Sequence, residues 1–461
     1  MIRARGIRHA LAVALLAVLP LQAATQDAAP RSEPNTLVPK GVMRYAPGAF
    51  PDRIIAAPSQ DAARGLGIAW RTGAGVESPW VELAVATDSP DPGAVRRVRA
   101  ATQALATENG PAHHHQVHID GLEPDTLYAW RVQGQGTWSP WRQMRTAADP
   151  GAPLTLLYFG DTQNQNASLV SRVMLEALRH APDARLALYA GDLVSGGGGE
   201  DDNEWGEWFD AVGPVASTTA IAPTAGNHEY FKEFEDTPQE RRVLGAHWPR
   251  TFVLPDNGAP GTEATTYWFD AHDARVVVLD GTSALDLGTA QAQAAWLDGV
   301  LRANTRTWTI VTIHQPMFSP RQDRDNALLR EHILPVLEAH RVDLVLQGHD
   351  HVYGRRGGLT DQATPQYVVS VAGAKQYRVS PQARRDMDPV AEDTQLFQVL
   401  RMDGARLAYE ARTATGRLYD AFELHREGDH TRLVEHPDAR IPQRDCPRDA
   451  TPKGRADRCW E

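Results

Sequence analysis

Two hydrophobic rhythms run along this chain, and they change over near residue 150. Between 39 and 147, apolar and polar positions alternate in short runs. Gly67-Ile68-Ala69-Trp70-Arg71 and Trp80-Val81-Glu82-Leu83-Ala84-Val85 read as half-buried strands, as do the runs at 116–122 and 126–132. Alternation of this kind sends every second side chain to one face of a sheet. With turn residues at short intervals, it predicts an N-terminal β-sandwich.

After a linker at 147–153 the rhythm becomes strand, helix, strand. Apolar runs at 154–159, 186–190, 220–224, 308–313 and 342–346 predict buried strands. Helical spacing marks 168–180, a segment carrying Trp205, Trp208 and Phe209, and the stretches 289–303 and 325–339. Residues 266–269 and 275–279 read as a hairpin around Ala271-His272-Asp273. This is the pattern of an α/β layered domain over 151–425, whose functional groups gather at the carboxyl ends of strands.

Composition adds limits. The chain has 461 residues, 42% hydrophobic and 23% charged, an ordinary globular make-up. A formal net charge of -11 and the lack of any polybasic block argue against nucleic acid and against an anionic membrane surface as partners. At the N-terminus, Arg3, Arg5 and Arg8 precede an apolar run at 10–21 and the small residues Ala23 and Ala24. Residues 1–24 therefore read as a secretory signal, followed by a flexible segment at 25–38, and the protein is expected to be exported, periplasmic or extracellular. Cys446 and Cys459 are the only cysteines. In an exported protein they are expected to form a disulfide within a polar tail at 426–461, worth roughly 3 kcal/mol in the chain-entropy account.

Five short patches carry the candidate chemistry: Gly160-Asp161-Thr162-Gln163, Gly191-Asp192, Gly226-Asn227-His228-Glu229, His314, and Gly348-His349-Asp350-His351. Each follows an apolar run, and each offers an oxygen or imidazole donor. Alone, Asp161 or Asp192 would pass for a turn residue or helix cap, Asn227 for a turn, and His314 for a core histidine. In this order they can hold two metal ions that share one carboxylate, a pair that activates water and clamps a phosphate.

With these motifs the chain resembles the calcineurin-like metallophosphoesterases. The preceding sandwich, with its Gly-Leu-x-Pro-x-Thr-x-Tyr stretch at 121–128, is similar to fibronectin type III domains and makes the whole resemble the purple acid phosphatases. The resemblance implies a four-layer α/β/β/α catalytic domain, with Tyr128 at the corner entering a late strand. It implies that Asp161, Asp192 and His351 hold a first metal. Asp192 bridges to a second, completed by Asn227, His314 and His349. The ions would be divalent or mixed-valence iron, manganese or zinc. A hydroxide on them would attack the phosphorus of a small phosphate monoester, with His228 stabilising the transition state or protonating the leaving oxygen. A phosphodiesterase of the same superfamily, or a non-catalytic binding protein on this scaffold, are the alternatives.

Two departures from the pattern matter. Purple acid phosphatases carry a metal-binding Tyr three residues after the bridging Asp, where this chain has Ser195. Many members of the superfamily have a His two residues after the first Asp, where this chain has Gln163, a weak ligand or a neighbour of one. On the substrate side, Arg321 and Arg324 are candidate phosphate clamps, against a plainer reading as solvated loop charges. Tyr230, Phe231 and Tyr353 could line the pocket or pack in the core. His113-His114-His115 and the acidic run Glu200, Asp201, Asp202 and Glu204 read as solvated segments, and Ser168 in the Asn166-Ala167-Ser168 sequon as a helix cap.

Overall fold

The computed structural model describes residues 35–39, 42–195, 201–359, 363–428, 430–447 and 459. The expected secretory signal, the glycine run at 196–199 and Glu200 lie outside them.

The N-terminal sandwich pairs two four-stranded antiparallel sheets. One runs in the order Asp52–Pro58, Gly65–Gly73, Gly110–Asp120, Ala101–Thr107. The other runs Arg96–Arg99, Trp80–Val85, Leu127–Val132, Arg142–Arg145. Ile68, Trp70, Val81, Leu83, Ile119 and Trp130 fill the space between them. The Tyr128 hydroxyl accepts the Glu123 amide hydrogen at 2.9 Å, closing a tyrosine corner at the expected place.

The α/β domain holds two seven-stranded sheets face to face. The first runs Ala220–Pro223, Leu186–Tyr189, Leu154–Phe159, Leu396–Asp403, Arg406–Thr413, Leu418–Glu427, His430–Glu435. The second runs Tyr267–Ala271, Ala274–Leu279, Trp308–Ile313, Leu344–Gln347, Gln366–Val369, Tyr353–Gly357, Val390–Ala391. Strand periodicity explains the layering. Leu154, Leu156 and Tyr158 face the second sheet, meeting the core that includes Val276, Val278, Ile310 and Leu346. Leu157 and Phe159 face outward onto Val173, Met174 and Trp208, from helices Ser171–His180 and Asp202–Ala216. On the opposite side, Val277, Val311 and Val345 pack on Leu297 and Leu337, from helices Ala290–Arg302 and Leu334–Ala339. The order is helix, sheet, sheet, helix.

Several local expectations need correction. The sheet does not stop at 425: strand His430–Glu435 pairs antiparallel with Leu418–Glu427, so the first part of the presumed tail is an edge strand. The disulfide Cys446–Cys459 is present, and the Cys446 amide donates to Glu392 at 2.7 Å. Val38, within the stretch expected to be flexible, is buried and its amide donates to Glu207 at 2.8 Å. Ser168 is no helix cap. Its hydroxyl reaches the Gln165 carbonyl in a wide turn at Asn166–Val170, and Asn166 is itself buried, donating to the Leu193 carbonyl at 3.0 Å.

The largest correction concerns the two segments read as solvated. His114 and His115 are buried, and Asp202 is fully so. The outer face of one sandwich sheet packs on the α/β domain, and Asp202 sits in that seam. Its carboxylate accepts from Arg53 at 2.6 Å, Arg71 at 3.1 Å and Asn109 at 2.8 Å, with His247 Nε2 at 3.1 Å. Burial alone would raise its pKa, but His247 and the two guanidinium groups outweigh that and hold it well below the usual carboxylate range. Removing such a carboxylate strands buried cations, so Asp202→Ala should lower unfolding stability by about 3–5 kcal/mol in chemical denaturation.

Candidate metal centre

The strands Leu186–Tyr189 and Leu154–Phe159 are parallel neighbours, as are Trp308–Ile313 and Leu344–Gln347, so their carboxyl ends lie on common edges. The two sheets meet there: the Ala372 amide donates to the Asp161 carbonyl at 3.0 Å, tying the segment after Gln366–Val369 to the end of Leu154–Phe159. A residue just past each strand therefore projects into one crevice. Asp161, Asp192, Asn227, His314, His349 and His351 all stand in such positions.

The crevice brings all six together. Ligand atoms of Asp161, Asp192 and His351 lie within 4.8 Å of one another, and so do those of Asp192, His314 and His349. Asp192 belongs to both groups. His314 Nε2 is 3.1 Å from Asp192 Oδ2, 3.2 Å from Asn227 Oδ1 and 3.0 Å from His349 Nδ1. His351 Nε2 is 3.3 Å from Asp161 Oδ2.

Backbone geometry supports the cluster. Asp192, His349 and His351 have φ of 49°, 71° and 48°. Non-glycine residues rarely adopt such angles, which cost of order 1–3 kcal/mol each and concentrate at functional sites. The glycines of the motifs answer to crowding. A Cβ on Gly226 would sit 2.2 Å from Asp192 Oδ1, and one on Gly348 would sit 2.1 Å from Asp161 Oδ1. Glu229, whose role no motif spacing reveals, ties the loops together: it accepts the amides of Asp192 and Leu193, each at 2.9 Å, and of Gly226 at 2.7 Å.

The imidazoles are aimed by their second nitrogens. His314 Nδ1 is 2.8 Å from the Ala190 carbonyl, and His351 Nδ1 is 3.1 Å from the Lys375 carbonyl. A carbonyl only accepts, so both Nδ1 atoms carry hydrogen and leave Nε2 as the nitrogen available to a metal, the arrangement that metal-ligating histidines use.

Cations fit this donor set. Two buried carboxylates crowd together, and burial together with the charge of Asp192 pushes Asp161 up to about 7, against the pull of His314. Burial disfavours the charged form of His314, yet Asp192 and Asp161 raise it to about 9. Buried atoms Asp161 Oδ2 and Gln163 Oε1 have no hydrogen-bond partner among the described residues. Metal ions would neutralise the carboxylates and satisfy these oxygens. Gln163 lies between the groups, its Nε2 being 2.9 Å from Asp192 Oδ2 and 3.0 Å from His351 Nε2.

Family comparison agrees with this geometry. Residues 51–146 match the purple acid phosphatase N-terminal domain, and residues 154–353 match the calcineurin-like phosphoesterases. The chain pairs a purple acid phosphatase N-terminal domain with a calcineurin-like phosphoesterase domain. It is 29% identical over 345 residues to an uncharacterized protein of Mycobacterium tuberculosis (strain H37Rv), covering 66% of this chain and 63% of that one. It is 27% identical over 253 residues to the Fe(3+)-Zn(2+) purple acid phosphatase 12 of Arabidopsis thaliana, covering 52% of each. The purple acid phosphatase PPD1 from yellow lupin (Lupinus luteus) seeds shares the fold, with a TM-score of 0.68 at 18% identity over 82% of this chain and 75% of that one.

His228 lies beside the phosphoesterase cluster. Its amide donates to Asp192 Oδ1 at 2.9 Å, and its Nδ1 is 3.0 Å from the Ser195 carbonyl. Burial lowers its pKa and Asp192 partly restores it. The two arginines behave differently. Arg324 forms an ion pair with Asp350 and donates to the His349 carbonyl at 3.1 Å, so it braces the ligand loop. Arg321 stacks 4.1 Å over the Tyr377 ring, which packs edge-on against His351 at 4.9 Å. Both arginines line a cavity of about 570 Å3 with Asp323, Arg378 and Ser380. Tyr230 and Tyr353 are core residues whose hydroxyls bond Asp280 and Asp420.

The Ser195 hydroxyl, in the place of the usual tyrosine, donates to Glu204 at 2.8 Å. Iron-loaded protein should therefore be colourless or pale. An intense visible tyrosinate-to-iron band in its absorption spectrum would instead put another tyrosine on the metal, Tyr377 beside His351 being one candidate.

Proposed function

We propose that this protein is an exported, metal-dependent phosphatase that hydrolyses small phosphate monoesters at the crevice holding Asp192. The observation that carries this reading is the pair of donor groups joined through one carboxylate, with His228 alongside. The chain covers 63% of the first curated relatives in length, and they carry no stated activity, so the reaction is argued from the site. Two ions held by Asp161, Asp192, Asn227, His314, His349 and His351 would supply Lewis-acid activation of water and neutralise charge on the phosphoryl oxygens. The residues do the rest. Asp192 keeps the two halves of the site in register. Gln163 Nε2 stands within hydrogen-bond reach of Asp192 and His351 and would orient whatever occupies the space between them. His228, with its Nδ1–H on the Ser195 carbonyl, has Nε2 left to give a proton to the departing oxygen. Arg321, at the cavity edge, would meet the charge of the bound ester.

Export is supported by the Cys446–Cys459 disulfide, since such bonds persist in oxidising compartments. Among the described residues no helix is long and apolar enough to cross a membrane. The test is a panel of monoesters, diesters and nucleotides, each assayed with iron, manganese or zinc and with metal content measured in parallel. Turnover confined to diesters would replace the monoesterase reading, and metal binding without turnover of any ester would leave a binding protein.

A further inference from the structure

The segment that follows Asp192 is gripped from two sides. Glu204 accepts the Ser195 amide hydrogen with one carboxylate oxygen and the Ser195 hydroxyl with the other, at 2.5 and 2.8 Å. Asn164 Nδ2 adds a contact to the same hydroxyl at 3.3 Å. The Ser195 carbonyl then accepts Nδ1–H of His228 at 3.0 Å. The serine is thus held at its amide and side chain, which leaves its carbonyl one direction in which to point.

Glu204 is buried in the first turn of helix Asp202–Ala216, and that turn is fastened to the N-terminal sandwich by the two residues before it. Asp202 takes Arg53, Arg71 and Asn109. The Asn203 amide donates to Glu108 at 3.1 Å, and Asn109 Nδ2 reaches the Asn203 side-chain oxygen at 3.0 Å. Arg53 reaches the seam from a strand irregularity where its φ is 49°, the kind of bulge that re-aims a side chain. Successive residues on a helix point about 100° apart. Asp202 and Asn203 can therefore hold the sandwich while Glu204 holds the Ser195 segment.

We propose that Glu204 is a positioning residue for His228. Anchored by the sandwich through Asp202 and Asn203, it sets the Ser195 carbonyl, which keeps the imidazole hydrogen on Nδ1 and leaves Nε2 as the nitrogen that exchanges a proton with the substrate. The sandwich thereby becomes part of the apparatus that orients the acid, beyond its role as a packed neighbour. This rests on the reading of His228 given above.

The test uses the full chain with Glu204→Gln. The amide loses the charge and one acceptor oxygen, so the Ser195 hydroxyl must turn to accept from the new NH2 group, where Asn164 Nδ2 already donates, and the grip on the Ser195 segment loosens. On an alkyl phosphate, kcat should fall by about tenfold or more, bounded by the roughly 10²–10⁴-fold worth of general acid catalysis, with KM and metal content unchanged. In a His228→Ala background the same change should have no further effect, because both act through one group. Nitrogen NMR of the metal-free chain reads the tautomer without any assay: hydrogen on Nδ1 of His228 in the unaltered protein, a mixture in Glu204→Gln. Asn109→Ala, which cuts sandwich contacts only, should shift the tautomer the same way by less. Equal losses of kcat in both backgrounds, or an unchanged tautomer in Glu204→Gln, would overturn the proposal. An unchanged tautomer in Asn109→Ala would remove the sandwich from it. If the unaltered protein turns over no phosphate ester, the phosphatase reading fails while the NMR result still decides whether Glu204 sets the imidazole.

Discussion

Asp192→Asn should abolish turnover and leave the protein short of metal. The two donor groups have only this residue in common. One oxygen accepts from the His228 amide at 2.9 Å, and the other from Gln163 at 2.9 Å, with His314 Nε2 at 3.1 Å. Burial opposes its charge, but His314 and then His228 outweigh burial and hold its pKa well below the usual range. An amide keeps the shape, loses the charge and puts an NH2 group where one oxygen stood, so it cannot serve two cations. Metal content, read by elemental analysis of the purified variant, should fall along with activity, while circular dichroism stays that of the folded chain. Asp161→Asn is the control: it strips one donor group and should leave the His314–His349 group its full set. Near-normal turnover in Asp192→Asn would sink the shared-carboxylate arrangement.

The sequence reveals this site well because its logic is local. An apolar run ending in Gly-Asp, Gly-Asn-His or Gly-His-x-His states both the strand and the donor that leaves it, and Asp161, Asp192, Asn227, His314, His349 and His351 all lie at such ends. Even the glycines have a local cause, although only the structure shows that Gly226 and Gly348 abut the Asp192 and Asp161 carboxylates. Reading failed where burial depends on a distant partner. Periodicity in 110–120 marks one face of a strand as polar, yet that face meets the α/β domain, so His114 is enclosed. Asp202 belongs to an acidic run and looks solvated until Arg53 and Arg71, more than a hundred residues earlier, close over it. Glu204, which also looks like part of that solvated run, and Glu229 have roles the sequence does not display for a related reason. Each accepts backbone amides of a neighbouring loop, Glu204 that of Ser195 and Glu229 those of Asp192 and Leu193, and no spacing rule records such a pairing. Strand His430–Glu435 is hard to read from sequence because an edge strand needs few apolar positions, and none of its six residues is buried.

His228→Ala should separate chemistry from metal binding. His228 contacts the cluster through its amide, which the substitution keeps, and its ring is engaged with the Ser195 carbonyl. Metal content should therefore stay near that of the unaltered protein. Loss of a general acid typically costs about 10²–10⁴-fold in rate, so kcat should fall within that range. The size of the loss should follow the leaving group. A nitrophenolate departs without needing a proton, so its ester should lose little, whereas an alkoxide needs one and its ester should lose most. Burial lowers the His228 pKa, which makes the imidazolium a stronger acid. Measuring kcat across a series of phosphate monoesters and plotting the ratio of unaltered to variant rates against leaving-group pKa should give a rising line. A flat line would mean that His228 stabilises charge on the phosphoryl group without transferring a proton, and a loss of metal would make its ring a ligand.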